Sequence, residues 1–364
     1  MGGRNISEQG EYVPWYMPTG VVRYRAIWER RGGEKMKKAL ILGEVCQDII
    51  VHDPRSVKVL EQPVWAGDVL TVAGGSAVFV ASALNHLGIP VELWSTLGED
   101  EVGLQLIDEM TGRGIDCRFV KRLPGYATTR SVIVCEQESK DFIGCTAMLP
   151  LQIPDQICAE SVSLLYIAGY MLFPELWETK TISLIEKTHH LGIPVVVDSQ
   201  QLPIPGDMVT KTRLREIMPH VSVFLVARRE AKQLTGSQEP LVAGREFLSM
   251  GVETAVMKQG EEGCTVLTTV QPEQNDYGQP VGEVNGRPYY AITVPAYPVK
   301  VYDSVGSGDL FGAGYSFGIL QGWGPRECTR FAAVFTALSL GKYDTHKILP
   351  SFEKVSQILE AEGL

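Results

Sequence analysis

A glycine-rich turn between a strand and a helix is the feature that most constrains this chain. Residues 291–301 form an apolar run that predicts one or two strands, and residues 303–309 then read Asp-Ser-Val-Gly-Ser-Gly-Asp. Apolar residues follow at helical spacing, so we expect a helix to begin between Gly306 and Gly308. The first N–H groups of a helix have no partner within it, and the helix dipole adds positive charge. Such a turn can therefore hold an anion, most often a phosphate.

Asp309 lies in the first turn of this predicted helix. A carboxylate would repel a bound phosphate, but it is well placed to accept a proton from a hydroxyl group that attacks the phosphorus. A structural alternative stays open, in which Asp303 or Asp309 only caps the helix and the glycines only form a turn.

The same stretch resembles the C-terminal signature of the ribokinase-like (PfkB) carbohydrate kinases, D-T-x-G-A-G-D-x-F-x-x-G. The matching residues are Asp303, Gly306, Gly308, Asp309, Phe311 and Gly314, with Ser304 and Ser307 in place of the threonine and the alanine. The resemblance implies that Asp309 is the catalytic base. It also implies that the amides of Gly306, Ser307 and Gly308 form the anion hole for the transferred phosphoryl group. The fold it implies is α/β, with a doubly wound, mostly parallel central sheet flanked by helices and a small β-sheet lid.

The composition agrees with a globular enzyme. The chain has 364 residues, 45% of them hydrophobic and 21% charged, which suffices for one large α/β domain with an appendage. A net charge of −10, without a basic cluster beyond the N-terminal region, argues against nucleic acid as the main partner. No apolar run is long enough to predict a membrane span. Seven scattered cysteines without a Cys-x-x-Cys pair indicate free thiols in a reducing cytoplasm.

The N-terminal region is predicted to lie outside the catalytic domain. Residues 1–36 are rich in arginine and lack the apolar segment of a secretory signal. We therefore expect a loosely held extension without catalytic function, followed by a kinase domain over residues 37–364.

The first predicted strand, residues 39–51, contains Gly43 and carries Asp48 near its end. A buried aspartate is costly unless it is paired, and ligands lie at the carboxyl ends of strands in open α/β sheets. Asp48 is therefore either a turn residue or, as the family resemblance implies, a ligand of the acceptor's hydroxyl groups.

A glycine pair precedes the next predicted helix. Gly74 and Gly75 either let a ligand approach the backbone or simply form a tight turn. The segment is similar to the family signature G-G-x-x-x-N-x-A, and Phe79 stands where the family usually has a sugar-contacting asparagine. We predict that Phe79 contacts a flat or less polar acceptor and that ribose and fructose are poor acceptors. The alternative is that Phe79 packs inside the protein.

Two stretches, residues 52–73 and 117–149, are predicted to supply the lid strands. The second stretch contains a predicted hairpin, residues 128–136 and 141–148, around a polar turn. In the family such a lid covers the substrate and often pairs two subunits, so the resemblance implies a homodimer through the lid.

Strands and helices alternate in the second half of the chain. Apolar runs typical of strands buried on both faces lie at residues 164–168, 193–198, 221–227 and 254–257. Helical segments separate them, as a doubly wound sheet requires.

Two further segments resemble the family's nucleotide motifs. The first, N-x-x-E, keeps Glu230 but has Ala227 in place of the asparagine, and implies that Glu230 organises Mg²⁺ and phosphate through water. Its alternative is a solvated helix residue. The second, T/K-x-G-x-x-G, assigns Lys258, Gly260 and Gly263 to ATP, although any turn with two glycines gives the same pattern.

These observations predict an enzyme that transfers the γ-phosphoryl group of ATP to a hydroxyl group of a sugar, a polyol or a nucleoside-like alcohol. The expected cofactors are ATP and Mg²⁺, and a monovalent cation is left open. One alternative is a catalytically weak, metabolite-binding regulator with the same fold. Another is a dinucleotide-binding oxidoreductase, which would need G-x-G-x-x-G directly after the first strand, where only Gly43 is present.

Overall fold

The computed structural model describes residues 37–52, 65–136, 139–144, 149–200, 208–271, 278–341 and 348–361. For residues 136, 139–142 and 208–210 it describes the backbone alone. The predicted extension, residues 1–36, and part of the first predicted lid stretch, residues 53–64, lie outside the described residues.

The described residues form fourteen strands and nine α-helices. The strands are β1 (Lys38–Leu42), β2 (Cys46–His52), β3 (Asp68–Gly74), β4 (Val91–Gly98), β5 (Asp116–Leu123), β6 (Arg130–Glu136), β7 (Ser139–Ile143), β8 (Val162–Ala168), β9 (Val195–Asp198), β10 (Val223–Ala227), β11 (Thr254–Lys258), β12 (Cys264–Thr268), β13 (Gly282–Val284) and β14 (Arg287–Val294). The helices are α1 (Ser76–His86), α2 (Glu101–Gly112), α3 (Thr179–His190), α4 (Met208–Ile217), α5 (Arg228–Thr235), α6 (Pro240–Ser249), α7 (Ser307–Leu320), α8 (Pro325–Leu340) and α9 (Phe352–Ala361).

A ten-stranded sheet forms the centre of the molecule, in the order β13-β14-β12-β11-β10-β9-β8-β1-β4-β5. The seven strands from β11 to β5 are parallel, and β12, β14 and β13 complete one edge in antiparallel pairing. This arrangement confirms the predicted doubly wound, mostly parallel α/β fold.

The hydrophobic core lies on both faces of this sheet because successive strand residues point to opposite sides. On β8, Tyr166 belongs to the cluster that packs against α1, α2 and α7–α9, whereas Leu165 belongs to the cluster that packs against α3–α6. Burial on both faces explains why the central strands are nearly continuous apolar runs.

A four-stranded sheet, β3-β2-β6-β7, forms a separate small layer. The prediction of one continuous strand over residues 39–51 is wrong, because the chain leaves the large sheet after β1 and enters the small sheet at β2. The change occurs at Gly43, where a Cβ atom would lie 2.6 Å from the carbonyl oxygen of Ala168. Asp48 therefore lies in the small sheet.

The second predicted lid stretch divides between the two sheets. β5 pairs in parallel with β4 at the edge of the large sheet, where Phe119 stacks on Trp94 with 4.4 Å between ring centroids. The predicted hairpin is confirmed by the antiparallel pairing of β6 with β7 in the small sheet.

The glycine-rich turn leads into α7 as predicted, with the helix beginning at Ser307. The strand before it is shorter than predicted, since β14 ends at Val294. Within the described ranges, every helix is too short or too polar to cross a bilayer.

Candidate active site

The turn before α7 has the backbone geometry of an anion-binding site. Gly306 has φ = 71°, in the left-handed region that glycine adopts without strain. The buried carboxylate of Asp303 accepts a hydrogen bond from the amide of Val305 at 2.9 Å, which fixes the turn. Asp303 therefore supports the backbone of the turn and does not cap α7, whose N-cap residue is Gly306.

The backbone amides of the turn differ in whether they have a hydrogen-bond acceptor. The Ser307 amide donates to the carbonyl oxygen of Ser304 at 3.3 Å. For the amides of Gly306 and Gly308, no acceptor is found within the part of the chain that the structure describes. Amides at a helix N-terminus without intrahelical partners are the donors that bind phosphate. Gly306 and Gly308 thus fit the predicted anion hole better than Ser307 does.

Asp309 meets two donors from elements that are distant in sequence. The hydroxyl group of Ser76, at the start of α1, donates to Asp309 Oδ1. The side-chain amide of Gln200, just after β9, donates to the same oxygen at 3.0 Å and also to the Ser76 hydroxyl group. Together these contacts fix the orientation of the Asp309 carboxylate.

Ser76 and Gln200 were not predicted from the sequence. Gln200 has φ = 57°, an uncommon backbone conformation for a residue other than glycine, and such residues concentrate at functional sites. Its position two residues beyond the carboxyl end of β9 is the only sequence signal that could have indicated it.

Asp48 lies in the middle of β2, so the turn alternative does not hold. Its side chain is 3% exposed and accepts hydrogen bonds from the Ser131 hydroxyl group and, at 3.2 Å, from Cys46 Sγ. A Cβ atom at Gly74 would lie 1.9 Å from Asp48 Oδ2, so only glycine leaves room for this carboxylate. Burial raises the pKa of Asp48, although the hydrogen bonds from Ser131, Cys46 and the Gly75 amide oppose that shift. The role of Asp48 toward an acceptor stays a prediction.

Phe79 packs inside the protein, as the alternative interpretation expected. Its side chain is 4% exposed and belongs to a small apolar cluster between α1 and the small sheet. A Cβ atom at Gly306 would lie 2.6 Å from Phe79 Cδ1, so the ring packs directly against the glycine-rich turn. A contact between Phe79 and an acceptor stays a prediction.

Lys258 brings a positive charge to the same turn. Its ammonium group lies 2.9 and 3.2 Å from the two carboxylate oxygens of Asp198, and a Cβ atom at Gly308 would lie 3.3 Å from Nζ. Burial disfavours the charged form, but the carboxylates of Asp198 and Glu230 outweigh it and raise the pKa of Lys258. The Tyr166 hydroxyl group donates to Asp198 at 3.3 Å. β8, β9 and β11 thus place a fixed cation beside the predicted anion hole.

Glu230 is not a solvated helix residue. Its Oε2 accepts hydrogen bonds from the Ser199 hydroxyl group at 2.7 Å and from the Ala227 amide at 2.8 Å, the second being a helix-capping contact. Burial raises the pKa of Glu230, Lys258 opposes that shift, and the neighbouring Asp198 adds to it.

The loop after β11 contains two glycines in different surroundings. Gly263 is closely packed, whereas the space beside Gly260 is open. A Cβ atom at Gly263 would lie 2.2 Å from the Val294 carbonyl oxygen, whereas one at Gly260 would meet nothing within 4 Å. Arg228 forms a two-pronged ion pair with Glu262 in this loop, with 2.6 Å between Nη1 and Oε1. The pair ties the loop to the start of α5 beside Glu230.

The described residues fit ATP and Mg²⁺ by their chemistry. They contain no group of three or more His, Cys, Asp or Glu side chains arranged to hold a metal ion. Mg²⁺ in kinases usually keeps several waters and takes one or two carboxylates together with substrate phosphates, so no such group is required. Glu230 is a half-buried carboxylate at the start of α5, and its chemistry fits one such ligand. A contact between Gly260 and a nucleotide stays a prediction.

Comparisons with known proteins agree with this geometry. The family model described as pfkB family carbohydrate kinase matches residues 36–351. A sugar kinase from Archaeoglobus fulgidus, described as uncharacterized, is 24% identical over 273 residues, which cover 73% of this chain and 98% of the relative.

Two solved structures share the fold. Ribokinase of Arabidopsis thaliana, complexed with ribose and ATP, has a TM-score of 0.68 and 19% identity, covering 89% of this chain and 99% of that one. A putative ribokinase II from E. coli, in complex with ATP and Mg²⁺, has a TM-score of 0.67 and 18% identity, covering 90% of this chain and 100% of that one. At these identities the likeness shows the fold.

Proposed function

Because this chain belongs to the pfkB family of carbohydrate kinases and is thus an ATP-dependent kinase, we propose that the protein phosphorylates a hydroxyl group of a sugar-like alcohol. In this reaction Asp309 acts as the base. The observation that carries this assignment is the position of Asp309. Its carboxylate stands one residue beyond an anion-binding turn and is held by Ser76 and Gln200.

The carboxylate of Asp309 accepts the proton of the attacking hydroxyl group. Two donors on Oδ1 stabilise the charged carboxylate and fix its direction, as a general base requires. The acceptor lies on the small-sheet side of Asp309, near Asp48 and the Gly74–Gly75 pair.

The anion hole and Lys258 stabilise the transferred phosphoryl group. The amides of Gly306 and Gly308 together with the Lys258 ammonium group supply preorganised positive charge where negative charge spreads in the transition state. Asp198 keeps Lys258 in place, so little reorganisation is needed during transfer. Mg²⁺, held through Glu230 and water, would supply further neutralisation of the phosphate charge.

We also propose a homodimeric assembly and a cytoplasmic location. We include a homodimer through the small sheet because its two edge strands carry exposed apolar side chains, Val69 on β3 and Ile143 on β7. A cytoplasmic location is supported by the free cysteines among the described residues. A monovalent cation is not part of the proposal.

Acceptor-dependent formation of ADP tests the proposed function. The purified protein is incubated with ATP, Mg²⁺ and a panel of sugars, polyols and nucleosides, and ADP and the phosphorylated product are both measured. We expect at least one alcohol to raise ADP formation with one phosphorylated product per ADP. ADP formation that no alcohol changes, or none at all, would instead favour the regulator alternative.

A further inference from the structure

The chain at the end of β9 is anchored on the phosphoryl side of the candidate site. Asp198, the last residue of β9, binds the Lys258 ammonium group with 2.9 Å between Oδ2 and Nζ. The hydroxyl group of Ser199 donates to Glu230 Oε2 at 2.7 Å, and the Ser199 amide donates to the Leu225 carbonyl oxygen at 3.0 Å. Asp198 and Ser199 are 1% and 0% exposed. The chain therefore leaves β9 in a fixed position.

Gln200 follows directly and has a left-handed backbone, with φ = 57°. Among the residues that the structure describes, Asn285 is the one other non-glycine residue with a positive φ. This conformation is costly for a residue that carries a Cβ atom, and it persists where the surroundings impose it, often at functional sites. Here it occurs at a residue whose side chain reaches the predicted catalytic base.

The side-chain amide of Gln200 joins two groups on the acceptor side of the site. Its Nε2 donates to Asp309 Oδ1 at 3.0 Å and to the hydroxyl oxygen of Ser76, and that hydroxyl group donates to the same carboxylate oxygen. An ionised carboxylate only accepts hydrogen bonds, so the nitrogen of the amide must face Asp309. The amide oxygen lies beside Gly169, where a Cβ atom would be 3.2 Å from Oε1. The amide is thus held at both of its ends.

We propose that Gln200 is a positioning residue that controls the direction and the charge of the Asp309 carboxylate. Its N–H group stabilises the ionised base, and its backbone ties that base to the strand end that holds Lys258 and Glu230. Ser76 alone cannot do this, because a hydroxyl group can rotate to donate or to accept, whereas an amide nitrogen only donates. The inference rests on the proposed function, in which Asp309 is the base, and it adds the residue that governs this base.

Two substitutions of Gln200 test the proposal against a matched control. Gln200→Gly removes the amide and keeps the left-handed backbone without strain. Gln200→Glu keeps nearly the same size but replaces the donor by a carboxylate. The control, Asn285→Gly, makes the same kind of change in an exposed turn between β13 and β14, where the side chain donates only to the carbonyl oxygens of Leu248 and Ser249.

The turnover number is measured from ADP formation with the best acceptor over a range of pH values. Calorimetry gives the dissociation constant of ATP in the presence of Mg²⁺, and a melting temperature is recorded for each variant. Turnover and ATP binding report on different parts of the site, so the two measurements separate a change at the base from a general loss of structure.

Gln200→Gly should lower turnover at neutral pH by about tenfold or more and leave the ATP dissociation constant within about twofold. The acidic limb of its pH profile should move up by about one pH unit or more, because the ionised base loses a donor. Gln200→Glu should lose more turnover than Gln200→Gly and shift the limb further, since two carboxylates then face each other. A role in packing alone predicts the opposite order. Asn285→Gly should change neither turnover nor the pH profile.

Wild-type turnover in Gln200→Gly, a loss of turnover without a shift of the acidic limb, or higher turnover in Gln200→Glu than in Gln200→Gly would show the proposal to be wrong. If Gln200→Glu does not fold, the pH profile of Gln200→Gly decides the question. The wild type separates this failure from failure of the kinase function. An active wild type with unaffected Gln200 variants removes only the role of Gln200, whereas a wild type that forms no ADP with any acceptor removes both.

Discussion

Replacing Gly306 by alanine should damage both the stability of the protein and the anion hole. Gly306 has a left-handed backbone, and a Cβ atom there would lie 2.6–2.9 Å from three atoms of the Phe79 ring. The ring is 4% exposed and packed among the side chains of the small sheet and α1, so it has little room to move aside. Two separable costs are therefore expected, one from the backbone and one from the contact.

The expected magnitudes follow from the geometry. A left-handed conformation costs a non-glycine residue roughly 1–2 kcal/mol, and forcing an extra carbon into a packed core costs roughly 1–3 kcal/mol. Gly322, at the other end of α7, offers a matched control because it has φ = 74° and a Cβ atom there would meet nothing within 4 Å. Gly322→Ala should therefore lower the free energy of unfolding by about 1–2 kcal/mol, and Gly306→Ala by about 2–5 kcal/mol.

Urea denaturation of both variants measures these free energies, and ADP formation reports the state of the anion hole. Gly306→Ala should lose most of its turnover, whereas Gly322→Ala should keep it. Adding Phe79→Leu to Gly306→Ala should cause less loss of stability than the two single changes sum to, because the smaller side chain relieves the contact. Equal losses in the two glycine variants, or strict additivity with Phe79→Leu, would refute the packing of Phe79 beneath the turn.

Three further predictions concern other parts of the molecule. Lys258→Met should lower turnover by about 10²–10³-fold because it removes a fixed charge beside the phosphoryl group. The substitution should also lower the melting temperature because the buried Asp198 loses its cation. Unchanged turnover in steady-state kinetics would contradict this role of Lys258. Removing residues 1–35 should leave turnover and melting temperature almost unchanged, and a large drop in the melting temperature would show that the extension packs on the domain. For Glu44, a pKa raised from 4.5 to about 7 means that the folded state favours the protonated form. The contribution of Glu44 to stability is thus present below pH 4.5 and is lost as the pH rises through 7, by roughly 3 kcal/mol at 1.36 kcal/mol per pKa unit. Urea denaturation of the wild type and Glu44→Gln at several pH values should show the two curves diverging over that interval, and parallel curves would disprove the shift.

The sequence predicted those parts of the fold that depend on local pattern. Apolar runs located β8, β9, β10 and β11 of the large sheet, and the glycines at positions 306 and 308 located the start of α7. The break at Gly43 could not be predicted in this way, because residues on both sides favour a strand. What separates them is the close approach of Ala168, a residue that is distant in the sequence.

The candidate site was predicted where one short motif contains the residues, and missed where distant segments meet. Asp309 and its turn come from one motif, whereas Ser76 and Gln200 reach Asp309 only after α1 and β9 have packed against α7. The packing of Phe79 against Gly306 likewise joins segments that are distant in the sequence. A contact between Phe79 and an acceptor stays a prediction. Long-range packing, which no local pattern encodes, thus brings Ser76, Gln200 and Phe79 to the turn before α7.

The rate of a single turnover in Asp309→Asn measures whether this carboxylate acts as the catalytic base. The variant is mixed with ATP, Mg²⁺ and the best acceptor from the panel, the reaction is quenched at intervals, and ATP affinity is measured separately. Asparagine keeps the shape of the side chain and can still meet Ser76, but it cannot take up a proton. We expect unchanged ATP affinity and a phosphoryl-transfer rate lowered by about 10²-fold or more, the usual scale for a general base. Transfer at the wild-type rate in the folded variant would contradict it.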